Sequence, residues 1–342
     1  MDPGKPRDVL RDMKAITLEE HFVTTSFLEA VGPMAPSLER MQAQLLDLGE
    51  GRIAAMDEGG IDVQVLSLAA NGFDQLHPQT GTLMAKRIND ELAEAIHWRP
   101  DRFRGFATLG MKQPDEAALE LERCVKELGF VGAMVDGTVE SEFLDHPKFI
   151  PVFQAAQRLD VPIYLHPAIA PLSVRDSYYA GLPGNAGFLL AIAGWGWHAE
   201  LGLHILRLIV SGLFDKLPNL KVIIGHMGEG VPYALARSSR VLEAVTQELS
   251  MSVADFFKRN VYVTTSGYFT LPPLRCALDV LGKERLLFSI DYPFSTTTQG
   301  QAYLDQIKES GYFTDEDLVN LAYGNAERLL KLGAPAPGVK QI

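Results

Sequence analysis

Several short stretches of this sequence carry side chains that can do chemistry: Glu19-Glu20-His21, Asp136, His166, His226 with Glu229 three residues on, and Asp291. Alternation along a strand puts Glu19 and His21 on one face and Glu20 on the other. Glu19, His21, His166 and Asp291 offer two imidazoles and two carboxylates. That mixed nitrogen and oxygen set suits Zn²⁺, Mn²⁺ or Fe²⁺ with open coordination positions. Each residue alone has a plainer reading, because a single strand-end histidine is more often a hydrogen-bonding residue than a ligand. Their joint placement at strand ends is what favours a site. In His226-Met227-Gly228-Glu229 the carboxylate can accept the other ring N–H of the imidazole, fixing its tautomer and favouring its charged form. Such a pair is a poised acid or cation rather than a ligand set, whereas the plainer role for Glu229 is a helix-start carboxylate. Arg237, two turns on, suits bidentate recognition of a carboxylate and equally suits a surface. His77, His97 and His146 read as loop or helix-end residues. His198 and His204 flank an apolar helix and carry less weight. Trp195 and Trp197 either wall a pocket for a planar ligand or pack a long loop onto the fold.

The elements that would carry these residues are short apolar runs bounded by turn residues. The runs are 15–21, 62–68, 103–109, 130–136, 162–166, 221–226, 261–266 and 286–291. Most are continuously apolar, as parallel strands covered on both faces are. Helical patterns over 82–97, 114–128, 147–159, 200–213, 229–249, 272–281, 299–310 and 315–332 separate or follow them. Eight strand–helix units predict an α/β (β/α)8 TIM barrel of one domain over 14–332, with an extension at 1–13 and a tail at 333–342. A doubly wound sheet is the rival, but no G-x-G-x-x-G follows the first strand and no Walker A sequence occurs. The long connections, 22–61 after strand one and 167–220 after strand five, are expected to shape the pocket.

Composition excludes several classes. With 43 acidic and 31 basic residues the formal net charge is −12, which argues against a nucleic-acid partner. No apolar run approaches the ~20 residues of a membrane span, and the start has no secretory apolar core. Hydrophobic residues at 47% against 22% charged give a foldable core. Two cysteines, Cys124 and Cys276, suit a reducing compartment, so the expected location is cytoplasmic.

L-E-E-H-F at 18–22, Y-L-H-P at 164–167, the run from Ser211 to Glu229 ending I-I-G-H-M-G-E, and L-F-S-I-D-Y-P-F at 287–294 resemble the amidohydrolase superfamily. They are most similar to its decarboxylase-like branch, which includes γ-resorcylate, 2,3-dihydroxybenzoate and aminocarboxymuconate-semialdehyde decarboxylases. The resemblance spans roughly 14–332. It implies a metal-dependent barrel with one divalent ion, Zn²⁺ or Mn²⁺, and no organic cofactor. Glu19, His21, His166 and Asp291 match the ligands, with Asp291 also moving protons. His226 and Glu229 match the non-ligand pair beside the substrate, and Arg237 an arginine near it. Asp136-Gly137 departs from the branch's Asn-Gly, and Ser295 from its Glu.

The expected activity is non-oxidative decarboxylation of a hydroxylated aromatic, dihydroxybenzoate-like carboxylic acid. Asp291, His226 and Glu229 are the expected catalytic residues, and Arg237, Phe22, Phe294, Asp136 and Trp197 the expected substrate contacts. The alternative is a hydrolase of a lactone, amide or related bond, with Asp291 as base. The resemblance also implies a homodimer or homotetramer.

Overall fold

The computed structural model describes residues 13–32, 39–69 and 73–332. Residues 1–12 of the expected extension, and the expected tail at 333–342, lie outside the described residues. Among those described, eight strands pair in parallel, each with the next in chain order. They are β1 (Ile16–Phe22), β2 (Val63–Leu68), β3 (Phe103–Thr108), β4 (Gly132–Asp136), β5 (Ile163–His166), β6 (Val222–Ile224), β7 (Val261–Thr264) and β8 (Leu286–Leu287). The sheet turns back on itself through a bridge between Glu20 and Tyr292 and a 2.7 Å bond from the His21 N–H to the Tyr292 carbonyl. This is the expected (β/α)8 barrel.

A helix follows every strand: Glu50–Glu58, Pro78–Trp98, Pro114–Lys126, Ile150–Leu159, Gly196–Val210, Val231–Leu242, Leu271–Leu281 and Thr297–Ser310. Proline in the first turn of several of them uses a position whose N–H has no intrahelical partner. Both long connections hold further helices, Thr25–Val31 and Gln42–Leu46 in the first, Leu172–Tyr178, Ala186–Ala191 and Leu213–Lys216 in the second.

Apolar side chains form two layers. Ile16, Leu18, Val65, Phe106, Tyr164, Ile223 and Leu287 fill the barrel interior, with Ala326, Leu329 and Leu330 of the last helix against them. A larger layer, which includes Phe22, lies between sheet and helices. β1 has a register shift between Thr17 and Glu20. Such an irregularity changes the alternation, so Glu19 and His21 join the side that Ile16 and Leu18 occupy. Glu20 faces the β8–β1 seam. Its Oε1 accepts from the Ile290 N–H at 3.0 Å and from Ser289 Oγ at 3.2 Å, and its Oε2 accepts from Gln64 Nε2 at 3.1 Å. Arg52, fully buried, donates to the His21 carbonyl at 2.6 Å and to Gln64 Oε1 at 3.3 Å. Burial pushes the Glu20 carboxyl up to about 8.

β6 and β8 fall furthest short of their apolar runs. β6 ends at Ile224, so His226 stands beyond it in a 3₁₀ turn; His226, Met227 and Glu229 have φ of 48°, 57° and 56°. β8 ends at Leu287, and Asp291 follows with φ of 68°. Left-handed backbone at non-glycine residues costs energy and is held by its surroundings, a pattern typical of sites.

Candidate metal centre and active site

β1, β5 and the segment after β8 bring four expected ligands together. The ligand atoms of Glu19, His21 and His166 lie within 4.8 Å of one another. Nε2 of His166 is 3.3 Å from Glu19 Oε1, and Nε2 of His21 is 3.3 Å from Asp291 Oδ1. Glu19 Oε1 and His21 Nε2 are buried and hydrogen-bonded to nothing among the described residues. Buried polar atoms are almost always satisfied, so an unbonded carboxylate oxygen and an unbonded imidazole nitrogen in one cluster suit the binding of a cation. Carboxylate and imidazole donors suit a divalent transition metal. The residues therefore fit the expected ion. The other oxygen of Glu19 accepts a short hydrogen bond from the Tyr164 hydroxyl, which orients the carboxylate.

The charges point the same way. Burial alone would neutralise these groups, yet His226 and His166 hold the Glu19 carboxylate far below the usual carboxylate range. Burial likewise disfavours the His166 imidazolium, but Asp136 and Glu19 raise it to about 10.

Beside this centre stands His226. Its Nδ1 is 2.7 Å from Glu229 Oε1; the carboxylate only accepts, so the ring N–H donates. Its Nε2 is 3.8 Å from Glu19 Oε1 and 3.9 Å from Asp291 Oδ2, facing the same space. Against the effect of burial, the charges of Glu229 and Glu19 hold His226 well above the usual imidazole range. Glu229 is held below the usual carboxylate range by His226 and His198, again against burial.

His198 belongs to this group, contrary to its low weight in the sequence. Its Nδ1 is 2.5 Å from Glu229 Oε2 and its Nε2 is 3.0 Å from the Ala193 carbonyl. Glu229 is thus shared by two imidazoles, with one oxygen for each. Gly202 permits the approach, since a Cβ there would meet the Glu229 carbonyl at 3.1 Å. No spacing signal joins positions 198 and 229; only packing of the Gly196–Val210 helix on the turn after β6 does.

The expected substrate contacts divide. The Trp197 ring lies 6.4 Å from the His166 ring, and its indole nitrogen is buried without a partner among the described residues. The Phe294 ring stands edge-on to His21 at 5.6 Å. These two aromatics flank His166 and His21. Trp195 is 60% exposed. Asp136 is committed to His166, with Oδ1 2.9 Å from Nδ1. Phe22 is not in the site: with His21 facing inward, strand alternation turns Phe22 into the sheet–helix layer, fully buried. Arg237 is not in the site of this chain either. Its helix buries Val231, Pro232 and Leu235, and a position two residues past Leu235 is rotated by about 200° to the outer face. Arg237 is exposed and makes no ion pair among the described residues.

Comparison with known proteins joins this geometry to a family. The amidohydrolase profile matches residues 31–332. This chain belongs to the amidohydrolase family. Among curated relatives, Decarboxylase orsB of Emericella nidulans is 37% identical over 325 residues, covering 93% of this chain and 97% of the relative. The γ-resorcylate decarboxylase of Polaromonas sp. is 38% identical over 330 residues, covering 93% and 98%. The crystal structure of dihydroxybenzoic acid decarboxylase from Polaromonas sp., with bound manganese and the inhibitor 2-nitroresorcinol, superposes with a TM-score of 0.85 at 36% identity, covering 95% of this chain and 99% of that one. Within the amidohydrolase family the chain falls in the decarboxylase branch.

Proposed function

We propose that this amidohydrolase is a manganese-dependent decarboxylase of a hydroxylated aromatic carboxylic acid of the dihydroxybenzoate class. The observation that carries it is the pair of buried, unbonded ligand atoms, Glu19 Oε1 and His21 Nε2, beside Asp291 and the charged His226. The manganese in the Polaromonas structure, with relatives that decarboxylate γ-resorcylate, supports both the ion and the substrate class.

Glu19, His21, His166 and Asp291 would hold the ion, which supplies Lewis-acid charge and a template for an anionic substrate. Trp197, beside His166, and Phe294, beside His21, offer flat apolar surface for a planar ring. Asp291, in its protonated form, donates to the ring carbon that bears the carboxylate. Protonation makes that carbon tetrahedral; its bond to the carboxylate carbon then breaks, CO₂ leaves, and the electron pair restores the aromatic ring. Asp291 is left as a carboxylate and regains its proton from solvent. His226, charged and fixed by Glu229, presents Nε2 as a donor to the oxygen on which negative charge builds. Glu229 and His198 hold that imidazole in place.

The apolar side chains exposed along the β5–β6 connection, Leu172, Tyr178, Leu182, Leu189 and Trp195, support self-association into a homodimer or homotetramer. The test of function is chemical: chelated protein is reloaded with Mn²⁺ and offered a panel of hydroxybenzoates. Release of CO₂ with a phenolic product is expected. Hydrolysis of a lactone or amide, with no CO₂ from any hydroxybenzoate, would overturn the proposal.

A further inference from the structure

We infer that Asp136 is a positioning residue for His166, and that its carboxylate sets how tightly the centre holds its ion. The inference rests on the metal reading above. Asp136 ends β4 and His166 ends β5, and the two are directly paired in the parallel register. Two bonds tie them. Asp136 Oδ1 lies 2.9 Å from His166 Nδ1, and the Gly137 N–H donates to the His166 carbonyl at 2.9 Å. Gly137 has φ of +32°, and a Cβ there would meet Ala168 Cβ at 2.4 Å, so only glycine lets the two strand ends come this close.

The consequence for His166 is specific. A carboxylate can only accept, so Nδ1 carries the proton in that bond. Nε2 is then the nitrogen left for an ion, and it is the one that faces Glu19 Oε1 at 3.3 Å. Two carboxylates bracket one imidazole, Glu19 on the inner nitrogen and Asp136 on the outer. An outer carboxylate fixes ring orientation and raises the basicity of the ligating nitrogen. Asp136 is 31% exposed and has its Oδ1 spoken for, so its principal partner is the ring and not a substrate.

The experiment titrates the whole chelated protein with Mn²⁺ and reads free ion by electron paramagnetic resonance, with no substrate present. Asp136→Ala should weaken Mn²⁺ binding about 10- to 100-fold. Asp136→Asn keeps an acceptor without the charge and should lose several-fold, falling between Ala and the unaltered chain. Far-ultraviolet circular dichroism establishes that each variant is folded; if the alanine variant is not, the asparagine variant decides. Unaltered Mn²⁺ affinity in the folded variants, with or without a raised KM, overturns the inference and returns Asp136 to substrate contact. Failure of the unaltered chain to bind Mn²⁺ overturns the metal reading and this inference together.

Discussion

Glu229 is the residue on which most of the polar arrangement turns. It is fully buried, and each of its oxygens has its own imidazole. His198→Ala would leave one oxygen of a buried carboxylate unpaired, which costs about 1–3 kcal/mol and more where the group is charged. Urea unfolding should show that loss, together with a fall in turnover as His226 loses its fixed partner. Unchanged stability would mean that the His198–Glu229 contact is incidental. The histidines also mark where residue-level reading of the sequence stops. Glu19 and His21 are legible because both lie on one strand, two apart. His226 and Glu229 are legible because three residues bring them within reach. His198 is not, because its partner is 31 positions away and a helix must pack to join them. Arg237 and Phe22 were misplaced for the opposite reason, since their types suit a site but the phases of their helix and strand turn them away from it.

At the level of elements, the barrel was legible almost strand by strand, because parallel strands buried on both faces leave continuous apolar runs. The ends of β6 and β8 were not, because apolarity continues past the point where the backbone leaves the sheet. Those departures carry His226 and Asp291. Gly225, between β6 and the His226 turn, shows how tightly the junction is built. A Cβ there would stand 2.6 Å from Glu19 Oε2 and 3.1 Å from the Tyr164 hydroxyl. Gly225→Ala must therefore move the Glu19 carboxylate. A displacement of about 1 Å at a reacting centre can cost on the order of 100-fold. We expect kcat/KM and Mn²⁺ affinity to fall at least tenfold while the melting temperature changes little. Loss of stability without loss of affinity would contradict that placement.

For the whole molecule, the net charge of −12 is not all surface charge. Glu19, Glu20, Glu200 and Glu229 are buried, and burial pushes the Glu20 and Glu200 carboxyls up to about 8. Burial, with the charge of Glu229, pushes Glu200 up to about 8, against the opposing effect of the Ala168 backbone. Between its ordinary value of 4.5 and about 8 the folded chain binds a proton at Glu200 that the unfolded chain has lost. That contribution to stability is complete below 4.5 and disappears as pH rises through 8. It declines by roughly 1.4 kcal/mol per pH unit across the window. Glu200→Gln should flatten the decline, so the variant gains on the unaltered chain between pH 6 and pH 9 in urea unfolding. An equal slope in both would show that Glu200 ionises freely in the fold.

These scales meet at Asp291, which stands 3.3 Å from His21 and 3.9 Å from His226. The most direct measurement is kcat of Asp291→Asn against the unaltered chain, at matched Mn²⁺ occupancy and on the hydroxybenzoate that releases CO₂ fastest. Asparagine preserves shape and an oxygen ligand but cannot donate a carboxylic proton. The predicted result is a folded protein that retains most of its metal and loses turnover by about 10²- to 10⁴-fold. Near-normal turnover in that variant would contradict the role of Asp291 as the proton donor.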